Sequence, residues 1–242
     1  MTDSAALAAR RLATQRSFYS LLPGRSFGSV RASLVPESPG RSLFNAVTYV
    51  DAPEVAPLVP VLAELYASAG VYAWTVWVLP GDDSLASALA AAGHVLDATP
   101  EAMGASLSDL DLSGPDVAAP PTWDQLVRTN AAAYGVPHGE LDAMRLAGDG
   151  VRLYGAADGA VVLAIHDHDG DAGVTYVAAR PEARGRGLVG QLLRQALRDA
   201  RDRGCTTTTL ESTRLGRPVY ERIGYRSLGT LGMWERRSAP PA

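Results

Sequence analysis

A turn rich in glycine and arginine, residues 184–187, has the composition of an anion-binding site. A strand-like run over residues 174–178 precedes it, and an amphipathic helix pattern starting at Leu188 follows it. Glycines let the backbone turn tightly and bring its N–H groups close to a ligand. The positive end of the helix dipole and the two arginines of the turn also favour negative charge. This stretch therefore predicts a site for a phosphate or a pyrophosphate.

The spacing of the glycines leaves two kinds of nucleotide site to compare. A nucleotide-binding P-loop needs a lysine after its last glycine, and this chain contains no lysine. Gly185, Gly187 and Gly190 satisfy the Gly-x-Gly-x-x-Gly spacing of a dinucleotide-binding loop, and Glu211 ends the next predicted strand, where that fingerprint places an acid. Arg184, directly ahead of the first glycine, argues against this interpretation. A dinucleotide site remains an alternative.

Two motifs resemble those of the GNAT acetyltransferases. Residues 184–188 resemble the coenzyme A loop of this family, whose pattern is Gln/Arg-x-x-Gly-x-Gly/Ala, and residues 180–183 resemble the segment that introduces it. Residues 217–225, Arg-Pro-Val-Tyr-Glu-Arg-Ile-Gly-Tyr, resemble the late helix-to-strand segment of the family. Two motifs in the right order are more specific than either alone. The resemblance covers residues 122–236 and departs from the pattern at Val189, where the family has Gly or Ala.

This resemblance implies an α/β (α+β) fold, a GNAT-like mixed sheet flanked by helices, and a known type of reaction. The chain would bind acetyl-CoA as a co-substrate and transfer its acetyl group to a primary amine of a small molecule or a peptide. The residues expected to contact the coenzyme are Val177, Ala178, Ala179, Arg184, Gly185, Arg186, Gly187, Leu188, Val189, Gly190 and Arg217. The end of the strand at residues 177–179 would offer its backbone to the pantetheine and to the thioester oxygen.

Acetyl transfer also needs an acid and a base. Tyr220 lies where the family often has a catalytic tyrosine, and a phenol with a pKa of about 10 stays protonated at neutral pH and can donate to a thiolate. No carboxylate lies in the strand before the loop, so Glu211 at the end of the next strand is the candidate base. His138 and Glu140 are further candidates, and a chain of water molecules could replace all three. An acyl-CoA-binding or sensing module without turnover is therefore a second hypothesis.

The two halves of the chain show the same order of predicted elements. Strand, helix, strand, short helix, glycine and strand describe both residues 42–110 and residues 173–236, with Gly93 and Gly224 in equivalent places. The first half has Asp51 and Glu54 where the second has its glycine-arginine loop, and two acids there would repel a pyrophosphate. We therefore expect a tandem arrangement of a degenerate GNAT-like domain, residues 1–113, and a catalytic domain, residues 114–242.

Periodicity and turn residues predict the elements individually. Helices are expected over residues 4–21, 53–69, 84–92, 122–133, 138–146, 188–200 and 218–223. Strands are expected over residues 30–34, 42–50, 71–79, 95–96, 103–110, 151–154, 160–166, 173–179, 206–211 and 225–234. A polar turn is expected over residues 166–171, and Trp74 and Trp77 are expected in the core.

Composition excludes several classes of function. The chain has 242 residues, a formal net charge of −4 and a pI of about 5.6, which gives no bulk attraction to nucleic acid. No apolar run approaches the ~20 residues of a membrane span. Cys205 is the single cysteine, so neither an intrachain disulfide nor a cysteine metal cluster is expected. These features predict a cytoplasmic enzyme, a monomer or a homodimer, with no metal, no membrane and no nucleic acid partner.

Overall fold

The structure, a computed structural model, describes residues 3–239. The first two residues of the predicted domain 1–113 and the last three residues of the predicted domain 114–242 lie outside this range. The α-helices are α1 (Ser4–Ser20), α2 (Val55–Ser68), α3 (Asp83–Ala91), α4 (Trp123–Tyr134), α5 (Leu188–Asp202) and α6 (Arg217–Ile223). The strands are β1 (Gly24–Phe27), β2 (Val30–Ser33), β3 (Ala46–Thr48), β4 (Ala73–Val78), β5 (Val95–Ala98), β6 (Glu101–Ser106), β7 (Arg152–Ala156), β8 (Val161–His168), β9 (Asp171–Ala179), β10 (Thr207–Ser212), β11 (Arg226–Thr230) and β12 (Gly232–Arg237). Within the described range, every helix is too short or too polar to cross a membrane.

The chain divides into two compact units, and each unit is built from two separate stretches of sequence. Unit 1 comprises Met1–Gln15 and Glu101–Leu228, and unit 2 comprises Arg16–Pro100 and Gly229–Ala242. This division differs from the predicted halves because β6 belongs to the sheet of unit 1 and β12 to the sheet of unit 2. The pattern of a short strand determines which of its faces is buried, and it does not specify the sheet that the strand joins.

The sheet of unit 1 has the strand order β11-β6-β10-β9-β8-β7. β9 and β10 are parallel, whereas the pairs β6–β10, β8–β9 and β7–β8 are antiparallel, so the sheet is mixed as predicted. The first six residues of β8 are all buried, which is typical of a strand covered on both faces. Val161, Leu163 and Ile165 join a core with α5, and α4 packs against β8 and β9.

Local sequence signals account for the two helices that flank this sheet. In α5 the apolar residues recur at helical spacing, and five of them are fully buried: Leu192, Leu193, Ala196, Leu197 and Ala200. α4 begins with a capping box, because the Thr122 hydroxyl accepts from the Gln125 N–H and the Gln125 side chain accepts from the Thr122 N–H. Gly135, with a φ of 66°, ends α4 in the left-handed conformation.

The sheet of unit 2 has the strand order β1-β2-β3-β4-β12-β5 and is also mixed, since β3 and β4 are parallel. α2 packs its apolar face against this sheet. The prediction that Trp74 and Trp77 belong to the core is confirmed. Trp74 stacks on Tyr66 with 4.9 Å between ring centroids, and the Trp77 indole N–H donates to the Tyr19 hydroxyl over 3.0 Å. The fold is thus two mixed sheets flanked by helices.

Several predicted elements differ from the structure. The strand expected over residues 103–110 is β6, which ends at Ser106, and the strand expected over residues 225–234 is divided into β11 and β12. The strand expected over residues 42–50 forms only as β3, because the buried Asn45 side chain instead bonds the backbone of Val35, Ser38 and Arg41 and holds the preceding turns. The helix expected over residues 138–146 is a 3-10 segment, His138–Gly150, with a non-helical residue near its end. The turn expected over residues 166–171 is shorter, because β8 extends through residue 168.

Candidate active site

The parallel strands β9 and β10 separate at their carboxyl ends. Their pairing stops where Leu210 lies opposite Val174. β9 continues to Ala179 with β8 as its partner, and β10 continues to Ser212 with β6 as its partner. The backbone edge of residues 177–179 that faces away from β8 therefore borders a gap between β9 and β10. The predicted residues Val177, Ala178 and Ala179 all lie along this gap.

A β-bulge in β9 begins the separation. Tyr176 and Val177 stand opposite the single residue Leu163 of β8. Tyr176 has a φ of 54°, a left-handed conformation that costs a residue other than glycine about 1–2 kcal/mol. Asn130 of α4 holds the backbone carbonyl of Tyr176 in place. Its Nδ2 donates to the Tyr176 carbonyl oxygen over 3.3 Å and to the Leu126 carbonyl oxygen over 2.9 Å. Strained residues fixed in this way are common at functional sites.

The glycine-arginine loop connects the end of β9 to the start of α5. A 3-10 turn, Pro181–Ala183, leads into the loop, and Ala183 is buried in the core of unit 1. Gly185 and Gly187 have φ values of 73° and 72°, which a side chain would strain. A Cβ atom at either position would meet no described atom within 4 Å. Both glycines are thus required by the backbone, and the space beside them is open.

The first turn of α5 presents uncapped backbone donors. Gly187 is the N-cap, no side chain caps the helix, and no acidic residue lies in its first turn. The N–H groups of Leu188, Val189 and Gly190 therefore lack helical acceptors, and the positive end of the helix dipole lies among them. The side chains of Leu188 and Val189 pack against the core, so the departure from the family pattern at Val189 is accommodated there.

The Arg184 side chain forms hydrogen bonds to backbone segments on either side of the loop. Its Nε donates to the Ala179 carbonyl over 3.2 Å, and its Nη2 donates to the Ala133 carbonyl over 2.9 Å. Because Ala133 lies in the last turn of α4, this side chain ties the end of β9, the loop and α4 together. Arg184 therefore positions the loop through hydrogen bonds to its surroundings.

The other two predicted arginines differ in their surroundings. Arg186 lies at the tip of the loop and is exposed. Arg217, at the start of α6, pairs with Glu221 over 2.6 Å and approaches Glu101 at 3.9 Å. Arg186 is thus placed to add charge at the loop, whereas Arg217 is engaged by two carboxylates.

Tyr220 lies on α6, close to the end of α4. It is 6% exposed, and its ring packs edge-on against Tyr225 with 5.8 Å between centroids. Burial raises the pKa of the Tyr220 phenol, and the phenol of Tyr134 raises it further. Tyr134 follows Ala133, whose carbonyl accepts the hydrogen bond from Arg184. Because Tyr134 is close enough to Tyr220 to affect its pKa, Tyr220 lies at the same end of unit 1 as the loop. Among the residues that the structure describes, the Tyr220 hydroxyl has no hydrogen-bond partner.

Glu211 forms an ion pair with Arg11 of α1. The distance between Arg11 Nη1 and Glu211 Oε1 is 2.9 Å, and their side chains are 4% and 25% exposed. Arg11 is not predictable as a site residue from the sequence, because it lies 200 positions away from Glu211 in the chain. A local signal existed: Leu7, Arg11 and Thr14 share one face of α1 by their spacing, and all three are buried.

A second buried carboxylate fastens the same helix. Asp171, at the start of β9, is 1% exposed and accepts hydrogen bonds from three hydroxyls. They belong to Thr14 at 2.8 Å, Thr207 at 2.7 Å and Thr209 at 2.6 Å. Since Thr207, Thr209 and Glu211 alternate along β10, they share one face of the sheet, and the first part of α1 lies on that face.

The remaining candidates lie apart from the loop. His138 approaches Asp124 at 3.7 Å on the surface, and Glu140 is exposed. His166 is buried, bonds the Gly150 carbonyl at 2.7 Å, and its pKa is lowered chiefly by burial. Asp167 pairs with Arg203, so neither residue belongs to an exposed turn. No cluster of side chains suited to a metal ion occurs within residues 3–239.

The corresponding place in unit 2 is closed. β3 and β4 are parallel like β9 and β10, and Tyr49 directly follows β3. The Tyr49 hydroxyl donates to Asp82 over 2.6 Å and accepts from the Leu79 N–H over 2.9 Å, just beyond β4. Glu54, at the start of α2, accepts from the Ser29 N–H. A buried tyrosine thus links the ends of β3 and β4, and a carboxylate lies at the start of α2.

Comparison with known proteins finds one family match over part of the chain. Residues 161–228, which include the bulge, the loop, α5 and Tyr220, match the family model described as an acetyltransferase (GNAT) domain. This segment is therefore similar to a GNAT acetyltransferase domain, as the sequence resemblance predicted. Gly185, Gly187 and Gly190 lie inside the matched segment, which favours the GNAT interpretation of the loop over a dinucleotide site. No curated protein matches the chain.

Solved structures share the fold across both units. A GCN5-related N-acetyltransferase from Kribbella flavida has a TM-score of 0.74 at 17% identity, with 96% of each chain covered. Another from Sphaerobacter thermophilus has a TM-score of 0.59 at 15% identity, covering 86% of this chain and 76% of that one. A tandem GNAT protein from the clavulanic acid biosynthesis pathway has a TM-score of 0.54 at 14% identity, with 97% of each chain covered. The predicted GNAT-like fold is confirmed.

Proposed function

We propose that unit 1 binds acetyl-CoA and transfers its acetyl group to a primary amine. The observation that carries this proposal is the continuity of the site: the opened edge of β9 leads directly into an uncapped, glycine-lined helix start. A diphosphate fits the first turn of α5, because its donors and the helix dipole lack a protein anion. The left-handed glycines leave room for the ligand to approach the backbone.

The edge of β9 is suited to the pantetheine arm. A strand edge offers N–H and C=O groups to an extended ligand as it would to another strand. The bulge at Tyr176 and Val177 redirects the backbone at the start of this edge, so the Val177 N–H is our candidate donor to the thioester oxygen. Bound acetyl-CoA would supply the thioester from which the acetyl group leaves.

We assign the two proton transfers of the reaction to two side chains. An N–C bond forms as the C–S bond breaks, so the amine loses one proton and the departing thiolate gains one. Tyr220 is our candidate for the donor to sulfur, since burial keeps its phenol protonated. Glu211 is our candidate for the acceptor of the amine proton, and its 25% exposed side chain lies one residue beyond the point where β9 and β10 stop pairing.

We propose that the region built around β3, β4 and α2 is a degenerate relative of the same domain. Tyr49 supports this, because its hydroxyl links the ends of the two strands that a coenzyme would have to separate. The acids Asp51 and Glu54 stand at the start of α2 in place of the glycines and arginines, and they would oppose a diphosphate.

A second candidate function is acyl-CoA binding without turnover. The observation that favours it is the ion pair between Glu211 and Arg11, because one oxygen of the carboxylate proposed as the base already bonds a guanidinium. The coenzyme site would be the same in both cases, so the two functions differ only in the chemical step.

Calorimetry followed by an assay of thiol release separates these functions. We expect coenzyme A to bind the full chain, and acetyl-CoA to release its thiol in the presence of a suitable amine. Binding of coenzyme A without thiol release from any amine would support the binding module. Absence of binding would overturn both candidates.

A further inference from the structure

The guanidinium of Arg11 is buried on the face of the sheet opposite α5. The residue is 3% exposed, and its Nη1 donates to Glu211 Oε1 over 2.9 Å and to Gln15 Oε1 over 3.0 Å. Burying a guanidinium is costly unless its charge and its N–H groups are matched. One nitrogen serves both acceptors, and no described residue accepts from the Nε or Nη2 of Arg11.

This ion pair lies where β9 and β10 separate. Glu211 follows Leu210, the last residue of β10 that pairs with β9. Asn130, which holds the bulge carbonyl from α4, borders the same stretch of β9. The face opposite α5 therefore places a guanidinium, a carboxylate and an amide around the mouth of the gap, where an acceptor must meet the thioester.

The side chains around the gap carry both hydrogen-bond donors and hydrogen-bond acceptors, and some of these groups have no partner among the described residues. Gln15 is 6% exposed, and its Nε2 is a buried donor with no partner within residues 3–239. Asn130 is fully buried, and its Oδ1 is a buried acceptor that likewise has no partner among these residues. With the spare donors of Arg11 and the partly exposed carboxylate of Glu211, the site offers complementary groups for a cation and an anion close together. Groups of this kind are normally satisfied in a working site.

We propose that the acceptor amine carries a carboxylate close to its amino group, as an amino acid does, and that Arg11 binds this carboxylate. The amino group then lies toward Glu211 and the end of β9, and the carboxylate lies toward Arg11 and Gln15. A polyamine would bring a second positive charge to Arg11, and an apolar amine would leave the spare donors of Arg11 unmatched. This inference rests on the proposed acetyl transfer and specifies its substrate class.

A matched panel of acceptors tests the proposal. Thiol release from acetyl-CoA is measured with each of the common L-amino acids and with its α-carboxamide, which keeps the amino group and removes the negative charge. We expect kcat/KM to be about 10- to 100-fold higher for the acid than for the amide of the best acceptor, as for the loss of a hydrogen bond between charged groups.

Variants of α1 test whether Arg11 causes the preference for acids over amides. Arg11→Met should abolish the difference between acid and amide, and Arg11→Lys should retain part of it by keeping the charge. Arg10→Met is the matched control on the same helix, because Arg10 is exposed and bonds only the Asp169 carbonyl; it should leave the preference intact. If Arg11→Met fails to fold, Arg11→Lys alone decides, through a higher KM for the acid and an unchanged KM for the amide.

The possible outcomes are distinct. Equal rates for acids and amides, or a preference for amides or simple amines, would overturn the proposal while leaving acetyl transfer in place. A preference for acids that keeps its wild-type size in both Arg11→Met and Arg11→Lys would also overturn it. Coenzyme A binding without thiol release from any acceptor would instead overturn the proposed function, and this inference with it.

Discussion

At the scale of single residues, Tyr220 and Tyr225 form an informative pair. Both phenols are buried, and burial raises the pKa of each. Their partners differ, because the Tyr225 hydroxyl bonds the Thr208 hydroxyl at 2.7 Å whereas none of the described residues bonds the hydroxyl of Tyr220. A packing tyrosine is expected to have a partner for its hydroxyl, so the difference favours a chemical role for Tyr220.

Replacing Tyr220 by phenylalanine should lower turnover more than coenzyme binding. We expect kcat to fall about 100-fold, since the thiolate loses its proton donor, with little change in the Kd for coenzyme A. Tyr225→Phe is the control, because it removes the neighbouring buried hydroxyl and should leave kcat within a few fold. Equal losses of turnover and binding in Tyr220→Phe would make the residue structural.

His94 should make the protein less stable in mild acid. The residue is 3% exposed, its ring packs edge-on against Trp74, and burial lowers its pKa from 6.5 to about 4. Between these values the unfolded chain binds a proton that the folded one does not, so stability falls as pH decreases from 6.5. We expect a loss of about 2 kcal/mol between pH 7 and pH 5.

Urea unfolding at the two pH values measures this effect. His94→Phe should reduce the difference between pH 7 and pH 5, whereas His138→Phe on the surface should leave it unchanged. The same pH dependence in His94→Phe and the wild type would show that other groups cause it.

At the scale of elements, the glycines at the two ends of α5 separate backbone strain from ligand binding. Gly187 begins the helix with a φ of 72°, and Gly204 follows it with a φ of 102°. Both have open space around the position of a Cβ atom. A side chain is therefore strained at either end, and only the end at Gly187 lies at the proposed diphosphate site.

Gly187→Val should abolish coenzyme A binding, because its side chain would occupy the space beside the first-turn N–H groups. Gly204→Val should cost a similar amount of stability, about 1–2 kcal/mol, and should leave binding intact. Thermal shift assays with and without coenzyme A measure both quantities. Stabilisation of Gly187→Val by coenzyme A to the wild-type extent would place the ligand elsewhere.

Elements were predictable where their signals are local. The apolar spacing of α5, the capping box of α4 and the glycines of the loop are each read from a few neighbouring residues, and the structure confirms them. The pair of Arg11 and Glu211 joins residues 200 positions apart, and nothing in the neighbourhood of either residue identifies the other. The conformation of Tyr176 was likewise not predictable, because it depends on the pairing of β9 with β8.

At the scale of the whole molecule, the two sheets exchange strands. β6 lies between β11 and β10 in unit 1, and β12 lies between β4 and β5 in unit 2. Each strand thus occupies an interior position of a sheet, and its removal would divide that sheet. The sequence predicted a division at residue 113, because residues 113–121 contain three prolines and a glycine, as a linker often does. The pairing of the strands does not follow this division.

The isolated segment 114–242 should therefore fail to fold as a GNAT domain. It lacks β6 and the first part of α1, and it retains β12 without the strands that pair with it. We expect no cooperative unfolding transition and no binding of coenzyme A, measured by circular dichroism and calorimetry. Co-expression with residues 1–113 is the control and should restore both; a folded, coenzyme-binding 114–242 would contradict the exchange.

The interior position of β12 also bears on how the protein emerges from the ribosome. α1 can bond Asp171 and Glu211 only after β9 and β10 have been translated. β4 and β5 stay apart even longer, since β12, the strand that joins them, follows both of these strands. Each sheet therefore stays incomplete while the intervening sequence is made, and partial products would expose unpaired strands to aggregation.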